Sequence, residues 1–278
     1  GVVDDNAAPL GAPTQIARFV RGSASSLVLA VAPASTAAAL APHLAPEPRS
    51  FRTREPVRVV IAKRIGNTAI LAASSFAIAA ILGVALGALA ALRRRPGIAS
   101  FAEAFALIGV AVPRIFLAPV LVLVFSLGLH WFPPAGADEG LRSLALPAIS
   151  LGIALSALLA RMTKAALEDA LSSDFVRTAR AKGTSESAIV VRHALPNALP
   201  PVVTIMGLQV GGLLAGAVVT EKIFAWPGIG LLLLESIRKL DVPVVQGVVL
   251  VTALATALAT LGADAIIRVL DPRLRRRA

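Results

Sequence analysis

Long apolar runs, punctuated by short basic or aromatic stretches, dominate this chain. The clearest cover residues 67–92, 101–129, 144–167, 200–225 and 243–270. A bilayer core of roughly 30 Å needs about 20 apolar residues per helix, so each run is long enough to cross. A weaker run at 24–45, ASSLVLAVAPASTAAALAPHLA, is broken by Pro33 and Pro42 and predicts at most a reduced first span. The pattern predicts an all-α polytopic transmembrane bundle of five to six spans. Before the first clear run lies a basic segment, 49–66, in which Val57, Val60, Ile61 and Ile65 share one helical face. Such a face suits an outer interfacial helix. The ends of the runs are marked by Arg93–Arg94–Arg95–Pro96 on one side and by Trp131–Phe132–Pro133–Pro134 on the other. An aromatic pair fits the headgroup level. Glycines spaced four apart, Gly83 with Gly87, Gly207 with Gly211 and Gly212 with Gly216, predict close helix approach.

Composition agrees. The 278 residues are 56% hydrophobic and 15% charged, with a mean hydropathy of +0.80. The net charge of +11 would point to nucleic acid in a soluble protein. With 4% aromatics and no Tyr for base stacking, that reading is set aside. The basic residues gather instead at span ends. Arg93–Arg95, the 161–192 segment and the tail Arg273, Arg275, Arg276 and Arg277 fall on one side, which the positive-inside rule makes cytoplasmic together with the C-terminus. The basic segment 46–66 then lies outside, against the rule. The chain has no Cys, and His43, His130 and His193 are far apart, so neither thiol chemistry nor a metal cluster is expected.

One stretch breaks the apolar pattern: RTARAKGTSESAIVVRHALPNALPPVV, residues 177–203. It carries Arg177, Arg180, Lys182 and Arg192 around Gly183. A glycine that tolerates positive φ can end one helix and turn the chain into another. Thr184 or Ser185 is placed to cap the second helix, with Glu186 or Ser187 beginning it and Pro196 and Pro200 ending it. A short helix with an apolar patch and basic edges suits docking into a groove of another protein. The same residues also suit a solvated basic loop that only fixes topology.

Here a resemblance decides. DFVRTARAKGTSESAIVVRHALPNALPPVVT, residues 174–204, resembles the cytoplasmic EAA loop of ABC importer permeases. The likeness is to the B-type permease of the peptide/nickel family, with Arg177–Thr178–Ala179 where the motif name has Glu-Ala-Ala. Other stretches resemble the family in order: RSFRTREPV (49–57), ALRRRPG (91–97), VAVPRIF (110–116), GLHWFPPAG (128–136), GAVVTEKIFAWPGIG (216–230) and LDPRLR (270–275). The resemblance implies a permease domain over 67–272, between an N-terminal segment 1–48 with the outer segment 49–66 and a basic tail 273–278. It implies a multi-pass subunit of the bacterial inner membrane, paired with a second permease. Two ATPase subunits would carry ATP and Mg, and a binding protein or lipoprotein would deliver a peptide; this chain itself would hold no cofactor. Gly183 would permit the turn, and Ser185–Leu195, including Glu186, His193 and the adjoining Pro196, would form the coupling helix. Arg177, Arg180, Lys182 and Arg192 would flank the ATPase groove. Nickel chelates and glutathione are alternative cargoes within the family.

Three further residues attract a pathway hypothesis. Arg114 follows Pro113 inside an apolar run, where a charge is costly and usually faces a cavity or partner. It is expected to face the translocation path or else to pair with Glu103. Glu221 is expected near the outer mouth, pairing with Lys222 or Arg238 or shaping a gate. Asp264 is expected to pair with Arg268 at i+4. A membrane enzyme would need a nucleophile–base pair or a metal cluster, and the sequence offers neither. It has no phosphate-binding G-x-x-x-x-G-K-[ST] loop either. An ATP-independent channel, the other rival, would have no need of the coupling loop.

Overall fold

The computed structural model describes residues 47–92 and 96–270. The helices are α1 (Val57–Leu92), α2 (Pro96–Ala111), α3 (Arg114–Leu121), α4 (Leu141–Ser172), α5 (Asp174–Ala181), α6 (Glu186–Ile189), α7 (Leu195–Ile223), α8 (Ile229–Arg238) and α9 (Val242–Leu270). A wide π-helical stretch, Val122–Gly128, continues α3, and a second, Val190–Ala194, joins α6 to α7. Four helices among the described residues are long and apolar enough to cross a membrane, or up to five if a bent pair counts as one. The run 24–45 lies outside the described residues.

The chain divides into two compact units. The larger comprises the described residues of Gly66–Leu231 and those from Thr252 onward. Its centre is α4, which buries small and branched residues along most of its length, from Leu144 to Ala170. Leu151 and Leu155 of α4 pack with Ala79 of α1 and with Leu213 and Ala217 of α7. Gly83, Gly87 and Gly207 do what small residues do in lipid, letting backbones approach. A Cβ at Gly83 would strike Leu159, and one at Gly87 would strike the Ala160 carbonyl and Thr163. Gly207 lies equally close to Ala263 of α9.

Two sequence expectations are corrected here. The run 101–129 is not one straight span: its two halves meet at 114°. Pro113 has no N–H to continue the ladder, and its ring forces the preceding residue away from helical backbone. Helix α2 therefore closes at Ala111, and α3 restarts beyond an extended Pro113 (ψ 131°). The helix expected to stop at Pro196 instead continues through Pro196, Pro200 and Pro201 to Ile223. The π turn just before Pro196 widens the ladder where the proline lacks its donor. Asn197 Nδ2 donates to the His193 carbonyl at 2.7 Å, and Thr204 Oγ1 to that of Pro200 at 3.0 Å.

The smaller unit comprises the described residues up to Ile65 together with Leu232–Val251. The turn 49–56 is closed by an Arg49–Pro56 bridge and organised by Ser50. The Ser50 hydroxyl accepts from the Arg52 and Thr53 amides and donates to Asp241 Oδ2 at 2.5 Å, while the Phe51 amide donates to Asp241 Oδ1. Val57 and Ile61 are buried, and their face belongs to the first turns of α1. Arg58 pairs with Glu47 and Lys63 with Glu55. Local acids thus neutralise part of the basic segment that strains the positive-inside rule.

Candidate functional site

The segment singled out by sequence forms a helix–turn–helix. Helix α5 ends at Ala181, and Gly183 takes the left-handed conformation (φ +77°) that lets the chain reverse. A Cβ at Gly183 would meet nothing within 4 Å, so the backbone alone demands glycine there. Ser185, in extended conformation, stands at the N-cap and Glu186 begins α6, as expected, although no side-chain cap bond forms. Val176, Ala179 and Ile189 bury themselves against one another and Leu171, closing the two helices into a wedge. Leu167, Ala170, Ala194 and Ala198 seat that wedge against α4 and α7.

The outward face of the wedge is what a partner would meet. Arg177, Arg180, Lys182, Gly183, Ser185, Glu186, Arg192 and Pro196 are exposed, whereas His193 and Leu195 are half-buried. Val191, part of the apolar patch of the second helix, is 63% exposed, and Phe175, which the sequence reading passed over, is 41% exposed. An apolar side chain beside charges is the signal that could have found Phe175. The four cations are not equivalent. Arg180 grips Glu186 across the Gly183 turn, with Nε–Oε1 at 2.7 Å and Nη2–Oε2 at 3.3 Å. That bond, and after it the carboxylate charge, raises the Arg180 pKa above its ordinary value. Arg180 thus staples the turn instead of reaching outward. Arg177 lies 3.7 Å from Asp174.

At the far end of α7, the Glu221 side chain is fully buried (0% exposed). Its Oε1 accepts from Thr68 Oγ1 of α1 at 2.6 Å, and its Oε2 accepts from the Leu231 amide in the first turn of α8 at 2.9 Å. Thr68 Oγ1 in turn accepts from the Ile229 amide at 2.8 Å. Gly228 and Gly230 press so closely on the carboxyl that a Cβ at Gly228 would collide with it. The reason is local: the first amides of α8 have no intrahelical acceptors, and these two side chains supply them. Asn67 completes the junction. Its Nδ2 donates to the Pro227 carbonyl, and its own carbonyl accepts from Trp226 Nε1. Trp226–Pro227–Gly228 is thus a structural turn.

The Pro113 elbow borders an apolar cavity of about 340 Å³, lined among others by Phe105, Ile108, Val112, Leu117 and Ile153. The Arg114 side chain and the Asp264–Arg268 pair lie outside the described residues. Glu103, offered as an Arg114 partner, is held by Lys164 of α4 at 2.6 Å.

Residues 83–276 match the family described as binding-protein-dependent transport system inner membrane component. The chain belongs to this family. The permease is 42% identical over 226 residues to the glutathione transport system permease protein GsiC of Escherichia coli (strain K12), covering 81% of this chain and 74% of that one. The GsiC protein of Pectobacterium atrosepticum matches with the same identity and coverage. Two solved structures share the permease fold. The MetNI methionine ABC transporter in an inward-facing conformation gives a TM-score of 0.67 at 18% identity, covering 78% of this chain and 99% of that one. An amino acid ABC transporter crystallised with histidines gives 0.59 at 14%, covering 78% and 94%.

Proposed function

We propose that this permease is one of two membrane subunits of an ATP-driven importer of small peptides, glutathione or similar compounds among them. The observation that carries the reading is the wedge at 174–194: an exposed apolar and cationic face on a Gly183 turn, packed directly onto two long membrane helices. In this reading two partner ATPases grip the wedge through Phe175, Val191, Lys182 and Arg192. ATP and Mg sit on those partners, and nucleotide closure pushes α4 and α7 as rigid bodies between two access states. A second permease supplies the other half of the pathway, and an external binding protein delivers cargo. The wedge and the C-terminus then face the cytoplasm. Pro113, with the elbow it creates, and Arg114 are proposed to border the pathway. The kinship to the glutathione permeases supports a peptide-like cargo over a bare metal ion.

The test is co-purification of the permease with the second permease and ATPases of its gene neighbourhood, comparing wild type with Gly183→Pro. Wild type is expected to retain the ATPases and the mutant to lose them. Retention by the mutant would remove the wedge from the interface. Stimulation of ATP hydrolysis by glutathione against dipeptides then ranks the cargoes.

A further inference from the structure

The Glu221 junction is far more elaborate than a turn requires. A fully buried carboxyl reaches across the loop that follows it to the Leu231 amide, and also takes the hydroxyl of Thr68 from another helix. Two glycines leave the room it occupies. It ties together the end of α7, the start of α8 and α1. Its place along the chain gives this meaning. From Glu186 the helix runs without a break in helical backbone through the π turn to Ile223, roughly 55 Å at 1.5 Å per residue. One end of this rod is the exposed wedge. At the other end, in the last turn and two residues from its final residue Ile223, is Glu221.

We infer that Glu221 is a positioning residue: a clamp that makes the far ends of α7, α8 and α1 move as one body when the wedge is displaced. A displacement at the wedge is useful for transport only if the rod's other end carries its neighbours with it. A rod with a loose far end would pivot and dissipate the motion. Thr68 is the second jaw, since its hydroxyl both donates to Glu221 and accepts from Ile229. The inference rests on the ATP-driven reading for the source of the motion, but not for the rigidity of the clamp.

Two readouts test it. The chain contains no Cys, so Ile70→Cys with Val219→Cys forms a unique spin-label pair on exposed positions of α1 and α7. In the full-length chain in nanodiscs, the inter-label distance is expected to be single and narrow. It should broaden on Thr68→Val, which keeps the side-chain shape, and on Glu221→Gln, which cannot accept both donors. In the assembled importer, the wild-type distance should be the same in nucleotide-free and ATP-trapped states. Uptake per ATP hydrolysed should fall about tenfold in Thr68→Val, the scale expected for one or two lost buried hydrogen bonds, with basal ATP hydrolysis retained. A merely structural residue would lower uptake and hydrolysis together. The clamp is overturned if the distance stays narrow in both variants, or if it changes between nucleotide states of wild type. Failure of the wild-type chain to bind ATPases would instead defeat the function proposed above, and the nanodisc distances would still decide the clamp.

Discussion

The two ends of the rod from Glu186 to Ile223 are built on opposite principles. At the wedge end, a half-exposed Arg–carboxylate pair holds the turn, and a cluster of just Val176, Ala179 and Ile189, with Leu171 against it, closes the helices on each other. At the Glu221 end, a carboxyl sits without solvent among hydroxyl, amide and glycine neighbours. Exposed ion pairs contribute little and are screened by salt. Buried donors left without an acceptor cost much more. The contrast teaches that one end is held by exposed, salt-screened contacts and the other by buried ones.

The largest break in that contrast should come from Glu221→Ala. It strands the Thr68 hydroxyl and the Leu231 amide in a buried site, at a cost of about 3 kcal/mol. Thermal unfolding in detergent should show the loss. Gly228→Ala comes next at about 2 kcal/mol, because the added methyl must displace the carboxyl or the turn. The same assay reads it, and pairing it with Glu221→Ala should recover part of the loss, since the smaller side chain vacates the space. At the wedge, Gly183→Ala should cost only about 1 kcal/mol, all of it backbone strain. Gly183→Asn should cost less, because Asn tolerates the left-handed region. Retention of ATPases should follow the same order. The smallest effect is expected from Arg180→Ala, with the unfolding midpoint nearly unchanged. Its signature is that raising salt weakens ATPase retention in wild type more than in the mutant.

What the sequence disclosed and what it withheld divide along the same line. The membrane runs and the Gly183 turn rest on composition and on residues with narrow backbone preferences, which local reading captures. The straight span through Pro113 and the helix stop at Pro196 were misread for one reason. A proline states that a hydrogen bond is missing, not how the chain absorbs the loss. At Pro113 it bends by 114°; at Pro196 a π turn takes it up. The Glu221 junction was not legible because its partner Thr68 lies 153 positions away. The Arg180–Glu186 staple exists only once Gly183 has turned the chain, so four cations in a row looked alike.

The π turn at Val190–Ala194 has a consequence beyond tolerating Pro196. It sets the angular phase of everything after it. Each residue of an α-helix advances the azimuth by about 100°, and a π turn accommodates one residue more than the α-helical count. Deleting a single residue there would leave the chain helical but rotate the rod's long arm relative to the wedge by about that angle. Gly207 would swing away from Ala263 and Glu221 from Thr68, while Val176, Ala179 and Ile189 stayed as they are. The wide turn is thus a phase adjuster that lets two independently packed surfaces, one in the wedge and one in the bundle, share a single helix.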